Sequence, residues 1–154
     1  MEKLFAEGNL IKSGGIPKDT NASPLVGERI AMSESYRMAI IVEFDAGATD
    51  LAIAFQQHDA ASAGNSKAIV IANPVYEKLD TATKFSETSI WLDASANAVR
   101  GIVVFELLSE ELDRANGYGF ISCDVTAAAA VAKVVSMKYI SANPRLEPAY
   151  SVDI

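Results

Sequence analysis

The chain has 154 residues, 50% of them apolar and 21% charged, the size and balance of one globular domain that buries a core without disulfide or metal staples. A formal net charge of −7, with thirteen Lys and Arg scattered along the chain, repels phosphate backbones and anionic lipid surfaces, so neither nucleic acid nor membrane is expected as a partner. No apolar run nears the roughly 18–20 residues that span a bilayer, the start Met1-Glu2-Lys3-Leu4-Phe5-Ala6-Glu7-Gly8 lacks a basic region followed by an apolar stretch, and the single Cys123 cannot form an internal disulfide.

Residues 1–33 carry Gly14-Gly15, Pro17 and Asn21-Ala22-Ser23-Pro24, a composition that predicts an extended arm over the surface of its own domain or of a neighbour. Leu4, Phe5, Leu10 and Ile11 are apolar residues in this arm; they either complete the core or, with Ile16 and Pro17, contact a partner.

The clearest periodicity follows. Tyr36, Met38, Ile40, Val42 and Phe44 fall on one face at period two with Arg37 and Glu43 on the other, the pattern of a strand with one buried face. After Asp45-Ala46-Gly47-Ala48-Thr49-Asp50 the alternation resumes at Leu51, Ile53 and Phe55, which predicts a hairpin with the preceding strand. Ala60 to Ser66 is small and polar, a mobile loop in expectation, and Ala68-Ile69-Val70-Ile71 is a short apolar run stopped by Asn73-Pro74.

Thr88 to Leu92 has strand composition and places Trp91 in core or interface packing. Gly101 to Leu108 is nearly continuous in apolar residues, which predicts a central strand covered on both faces. Asn116-Gly117 is a strong turn pair and leads into the alternating run Tyr118 to Val125. Thr126 to Lys133 has high helix propensity, whereas Val134, Val135, Tyr139 and Ile140 favour a strand; an Ala-rich connection followed by a strand is expected, with a helix at Ala127 to Lys133 as the alternative.

Strands separated by turn signals predict an all-β domain, an antiparallel β-sandwich of jelly-roll-like form. Its expected core is residues 34–140, flanked by the amino-terminal arm at 1–33 and a carboxy-terminal arm at 141–154 that carries Pro144, Arg145, Leu146, Pro148 and Tyr150. Arg145, Leu146 and Tyr150 join the arm residues above as candidate partner contacts.

Chemistry is harder to write from these residues. His58 is the only histidine for a triad, and beside Gln57 and Asp59 it is expected on the surface. Glu110, Glu111 and Asp113 have the residue types of a glycosidase pair, but adjacent loop carboxylates are more often solvated turn residues. Asp113 to Gly117 lacks the intervening oxygen ligands of a calcium loop, one His and one Cys far apart make no transition-metal site, and Gly117-Tyr118-Gly119 lacks the rest of a dinucleotide fingerprint. Cys123 sits among Phe120, Ile121 and Val125 and is expected to be a buried, inert thiol. No enzyme, cofactor or metal is expected.

The order of features resembles the small β-sandwich virion proteins encoded beside the major capsid protein in tailed bacteriophages, which decorate or cement the capsid. The likeness covers the Gly14 to Pro17 segment, the strand led by Tyr36, Gln56-Gln57, Glu110-Glu111-Leu112-Asp113 before Asn116-Gly117, and the run into Pro144-Arg145-Leu146. It implies a non-enzymatic protein of the capsid surface, assembled in the host cytoplasm, that forms symmetric clusters, commonly homotrimers, and grips the major capsid protein with its terminal arms. Other expectations are a head–tail connector or tail component, and, from a different class, a carbohydrate-binding sandwich in which Trp91 with Tyr76 or Tyr118 stacks on sugar faces.

Overall fold

The computed structural model describes residues 9–20, 23–33, 35–46, 51–69, 76–79, 90–92, 100–127 and 133–144. Their strands are β1 (Asn9–Asp19), β2 (Leu25–Val26), β3 (Ile30–Ala31), β4 (Ser35–Phe44), β5 (Leu51–His58), β6 (Ser66–Ala68), β7 (Tyr76–Leu79), β8 (Ile90–Leu92), β9 (Gly101–Leu108), β10 (Phe120–Ala127) and β11 (Val134–Pro144). Two short 3-10 turns, Ser109–Glu111 and Arg114–Asn116, are the only helical elements among the described residues.

The strands form two antiparallel sheets, so the chain is all-β as its alternating runs predict. The first sheet has the order β1-β11-β4-β9-β7; the second runs β2-β10-β5-β6, with β3 also pairing β10 and β8 also pairing β5. Alternation turns one face of each of the long strands β4, β5, β9, β10 and β11 inward. Met38, Ile40, Val42 and Phe44 of β4, Val103, Phe105 and Leu107 of β9, and Val135, Met137 and Tyr139 of β11 are buried. The second sheet contributes Leu51, Ile53 and Phe55 of β5 and Ile121, Cys123 and Val125 of β10 to the same core. Phe55 and Phe105 meet edge to face across it, ring centroids 4.7 Å apart, a geometry that adds about 0.5–1.5 kcal/mol to the burial itself.

The hairpin expected between Tyr36–Phe44 and Leu51–Phe55 does not form. β4 pairs with β11 and β9, while β5 pairs with β10, β6 and β8, so the connection crosses from one sheet to the other. Alternation records which face of a strand is buried; two strands facing each other across a core carry the same pattern as two side by side. β9 departs from expectation in a related way. It is flanked on both edges, by β4 and β7, yet the second sheet covers only the face bearing Val103, Phe105 and Leu107, and Ile102, Val104 and Leu108 remain half-buried on the other.

The described part of the amino-terminal segment is built into the sheets of its own chain. β1 pairs with β11 through two irregularities, between Ser13 and Gly15 and between Gly15 and Lys18. The bend is packed closely against side chains of β11 and β2. A Cβ on Gly14 would lie 2.7 Å from both Met137 and Tyr139, and one on Gly15 would lie 2.8 Å from Leu25. The amide of Glu28 donates to the Gly14 carbonyl at 3.1 Å, so β1 and the stretch after β2 close the sandwich along this side. At the other end of the chain, Ser141 to Pro144 continue β11. Ala127 ends β10 and Lys133 precedes β11; residues 128–132, where a helix was the alternative, lie outside the described residues.

Candidate functional site

The outward face of the first sheet is unusual for its apolar content. Burial alternates along β4, β9 and β11, so Ala39, Ile41 and Glu43, then Ile102, Val104, Glu106 and Leu108, then Val134, Ser136, Lys138 and Ile140 point away from the core. Register sets them in rows across the strands. Ile11 stands opposite Ile140, which stands opposite Ala39; Lys138 stands opposite Ile41, which stands opposite Val104; Ser136, Glu43 and Ile102 form the next row. Arg37 pairs with Glu106 across β4 and β9, and Lys138 pairs with Glu43 at 3.3 Å across β11 and β4. Exposed pairs of this kind contribute about 1 kcal/mol or less, but they balance the charge around the apolar rows.

β1 forms one edge of this sheet. Its Ile11 is 52% exposed and its Ile16 79% exposed, with Pro17 exposed beside it; Val134 of β11 is also exposed. A groove of about 550 Å³ opens at this end of the sheet, lined by Pro17, Glu43, Phe44, Asp45, Arg100, Gly101, Ile102, Val134 and Ser136. Its wall is held by Asp45, whose amide donates to the Val134 carbonyl at 3.1 Å and whose carboxylate accepts the Val134 amide at 2.9 Å.

Lys133, which its sequence context gave no reason to single out, is buried next to this groove. Its carbonyl accepts from the amide and hydroxyl of Thr20 at 3.0 and 3.1 Å, and its ammonium lies 4.8 Å from the Phe44 ring centroid. The cation thereby gains an aromatic face in place of water.

His58 is buried, contrary to the surface position expected from its polar neighbours. It ends β5, directly opposite Ser66 of β6 and Phe120 of β10. Its Nδ1 is 2.8 Å from the Ser66 hydroxyl and its Nε2 is 2.8 Å from the Ser122 hydroxyl. Polar neighbours along the chain do not report on cross-strand neighbours, and here both ring nitrogens find hydroxyls on adjacent strands. Burial, reinforced by the Arg29 charge, holds the imidazole pKa below its usual 6.5, while Asp124 and Asp59 pull the other way. The ring is neutral at neutral pH and clamps β6 and β10 to β5. None of the groove's lining residues is His58, Ser66 or Ser122.

The loop after His58 is pinned rather than loose. The Asp59 carboxylate accepts the backbone amide and the side-chain amide of Asn65, each at 2.8 Å, and Arg29 donates to the carbonyls of Ala60 and Ala63. The Asn65 bonds, the side-chain one first, lower the Asp59 pKa, and the Arg29 charge adds to this.

The carboxylates Glu110, Glu111 and Asp113 do not converge on one point. Glu110 is exposed, Glu111 accepts the Leu108 amide at 2.6 Å, and Asp113 accepts from Lys67 at 2.8 Å and from the Asn116 side chain. Among the described residues no group of three His, Cys, Asp or Glu is placed to hold a metal ion. Gly117 takes the left-handed conformation expected of the Asn-Gly turn, with φ 86°. Cys123 is fully buried, and burial pushes its thiol pKa well up, the state of an unreactive sulfur.

Of the candidate partner contacts, Ile16 and Pro17 are neighbours on the β1 edge beside the groove, and Ile11 lies farther along the same strand, opposite Ile140. The backbone of Leu10 belongs to the same strand, opposite Ser141. Leu4, Phe5, Arg145, Leu146 and Tyr150 lie outside the described residues, as do the side chains of Trp91 and Tyr76. The outward residues Ile41, Val104 and Ile140 were missed, although a signal exists: β-branched residues stand at both parities in Ile40-Ile41-Val42 and Ile102-Val103-Val104. No protein-family model matches the chain, and no curated protein matches it.

Proposed function

We propose that this chain is a non-enzymatic structural protein of a virion that binds the exterior of a phage capsid and stabilises it by protein–protein contacts. The observation that carries the protein-binding part is Ile16, 79% exposed on an edge strand and adjacent to Pro17 in the wall of the groove. An isoleucine held that far into solvent gains roughly 1.5–3 kcal/mol on full burial against a partner.

β1 is a poor template for strand addition. Pro17, two irregularities, Lys12 and Lys18 blunt its edge in the way natural sheets avoid indiscriminate pairing. Docking therefore runs through side chains: Ile16, Pro17 and Val134 supply an apolar anchor, and the groove beside them receives a side chain of the partner. The capsid as partner comes from the likeness of layout to phage decoration proteins, with Gly14 to Pro17 and Pro144-Arg145-Leu146 in matching order.

The test mixes purified protein with capsids that lack it and sediments them. Saturable co-sedimentation of the wild-type chain, weakened at least about tenfold by Ile16→Asp, is the expected outcome for a buried apolar anchor. Absence of saturable binding by the wild type counts against the proposal.

A further inference from the structure

We propose that His58 and Arg29 form a proton-operated latch: uptake of a proton by His58 releases the loop at residues 59–65 while both sheets stay folded. The latch belongs to the second sheet and stands independently of the β1 anchor and its partner.

Two residues on the outer face of that sheet are buried where an open face would expose them. Leu51, Ile53 and Phe55 of β5 and Ile121, Cys123 and Val125 of β10 face the core. Alternation therefore turns His58 and Ser122 outward, yet each is only 3% exposed. Ala52, Ala54 and Gln56, on the same face of β5, are half-buried. The cover over the His58 end comes from two neighbouring segments. Ile30 of β3 pairs with Ile121, which sets Arg29 at the level of Ser122 on one side of β10, and the loop after β5 lies on the other side. The Arg29 guanidinium bridges β10 to reach the carbonyls of Ala60 and Ala63.

Beneath this bridge the ring is matched to its neutral form. A neutral imidazole offers one donor and one acceptor, which suit the Ser66 hydroxyl at Nδ1 and the Ser122 hydroxyl at Nε2. A second proton makes both nitrogens donors and places a positive charge in a buried site beside Arg29. The charged groups that act on the ring are Arg29 from the segment before β3, Asp124 from β10 and Asp59 from its own loop. β6 presents only the Ser66 hydroxyl, since Lys67 alternates to the opposite face and pairs with Asp113. Burial and Arg29 together outweigh the two aspartates and disfavour the imidazolium.

The proton therefore favours a conformation that opens this site to water, and the loop is the part that moves with least loss of structure. β5 pairs with β10 along its whole length, but with β6 only at Gln56, Gln57 and His58. The loop is held by the Asp59 and Arg29 side chains, and it keeps Ala63 at φ 57°, a left-handed conformation that a Cβ disfavours. Withdrawal of the guanidinium relieves Ala63, lets water reach the imidazolium and leaves the long ladders intact. Asp59 is not the trigger, because its bonds to Asn65 keep it ionised below the ordinary carboxylate range. Asp124, raised by burial, is the competing trigger.

Hydrogen exchange of the full chain at about pH 7.5 and about pH 5.5, corrected for the intrinsic rate at each pH, tests this. Protection of the amides from Asp59 to Ser66 is expected to fall several-fold at the lower pH, while β4 and β11 keep theirs. About tenfold is the ceiling for one proton taken up at the ordinary imidazole pKa of 6.5. His58→Gln is expected to show equal loop protection at both pH values. Arg29→Gln is expected to show low loop protection at both, with a much smaller fall, and Asp124→Asn to keep the wild-type fall. Unchanged loop protection in the wild type overturns the proposal, as does an equal loss in β4 and β11. A fall that persists in His58→Gln or at full size in Arg29→Gln, or one that Asp124→Asn abolishes, overturns it too.

Discussion

The backbone amide of Cys123 donates to the hydroxyl of Tyr139 at 3.0 Å, joining the second sheet to the first through the interior. The bond fills a break in a ladder. Along β10, β2 pairs at Asp124 and Val125 and β3 pairs at Phe120 and Ile121, so the chain from Gly27 to Arg29 leaves the Cys123 amide without a strand partner on that side. Tyr139 supplies the acceptor, and Asp124 accepts the Gly27 amide at 3.2 Å across the same gap. Burial accordingly pushes the pKa of the Tyr139 phenol far up and raises that of Asp124.

Tyr139→Phe keeps the ring and leaves the Cys123 amide buried without this acceptor. A loss of about 1–3 kcal/mol is expected, read as a lower urea midpoint with an unchanged slope. A midpoint equal to wild type would mean that the amide has another partner.

Gly27 occupies the same gap. A Cβ there would lie 2.3 Å from the Cys123 carbonyl oxygen and 2.6 Å from the Tyr139 hydroxyl. Gly27→Ala is expected to destabilise by about 1–3 kcal/mol through overpacking against backbone. Gly119→Ala, with nothing within 4 Å of its Cβ, is the matched control and is expected to be neutral or to stabilise by up to about 1 kcal/mol. Equal thermal shifts in the two variants would contradict this account.

His58 makes stability depend on pH. Its folded pKa lies below the unfolded value of 6.5. Its contribution is therefore fully present above about 6.5 and declines as pH falls through that value, because the unfolded chain takes up the proton first, at up to about 1.4 kcal/mol per pH unit. His58→Gln keeps the capacity to hydrogen-bond both serines and removes the titration. Urea midpoints at about pH 7.5 and about pH 5.5 should fall further in wild type than in the variant; parallel falls would exclude His58 as the source.

Arg29 ties the segment between β2 and β3 to the loop after β5 through the carbonyls of Ala60 and Ala63. Arg29→Ala should cost little global stability, about 1 kcal/mol, since the site is partly solvated. It should also make cleavage between Asp59 and Asn65 several-fold faster in limited proteolysis. An unchanged cleavage pattern would show that the Asp59–Asn65 bonds hold the loop unaided.

The sequence by itself determined the fold class and the buried faces. Period-two runs such as Met38-Ile40-Val42-Phe44 and Leu51-Ile53-Phe55 assign a side to each residue because strand geometry alternates strictly. The inert Cys123 and the left-handed Gly117 followed from local composition for the same reason: the forces that place them act over a few residues. Tertiary structure alone decided which strands lie side by side, and with that everything made across strands. The sorting of β4 and β5 into different sheets, the burial of His58 between Ser66 and Ser122, and the reach of Tyr139 to Cys123 each depend on residues far apart in the chain. So does the outward apolar face. Ile41 and Val104 look like ordinary core residues in their own segments, and only the register between β4 and β9 sets them together on the side that the second sheet does not cover.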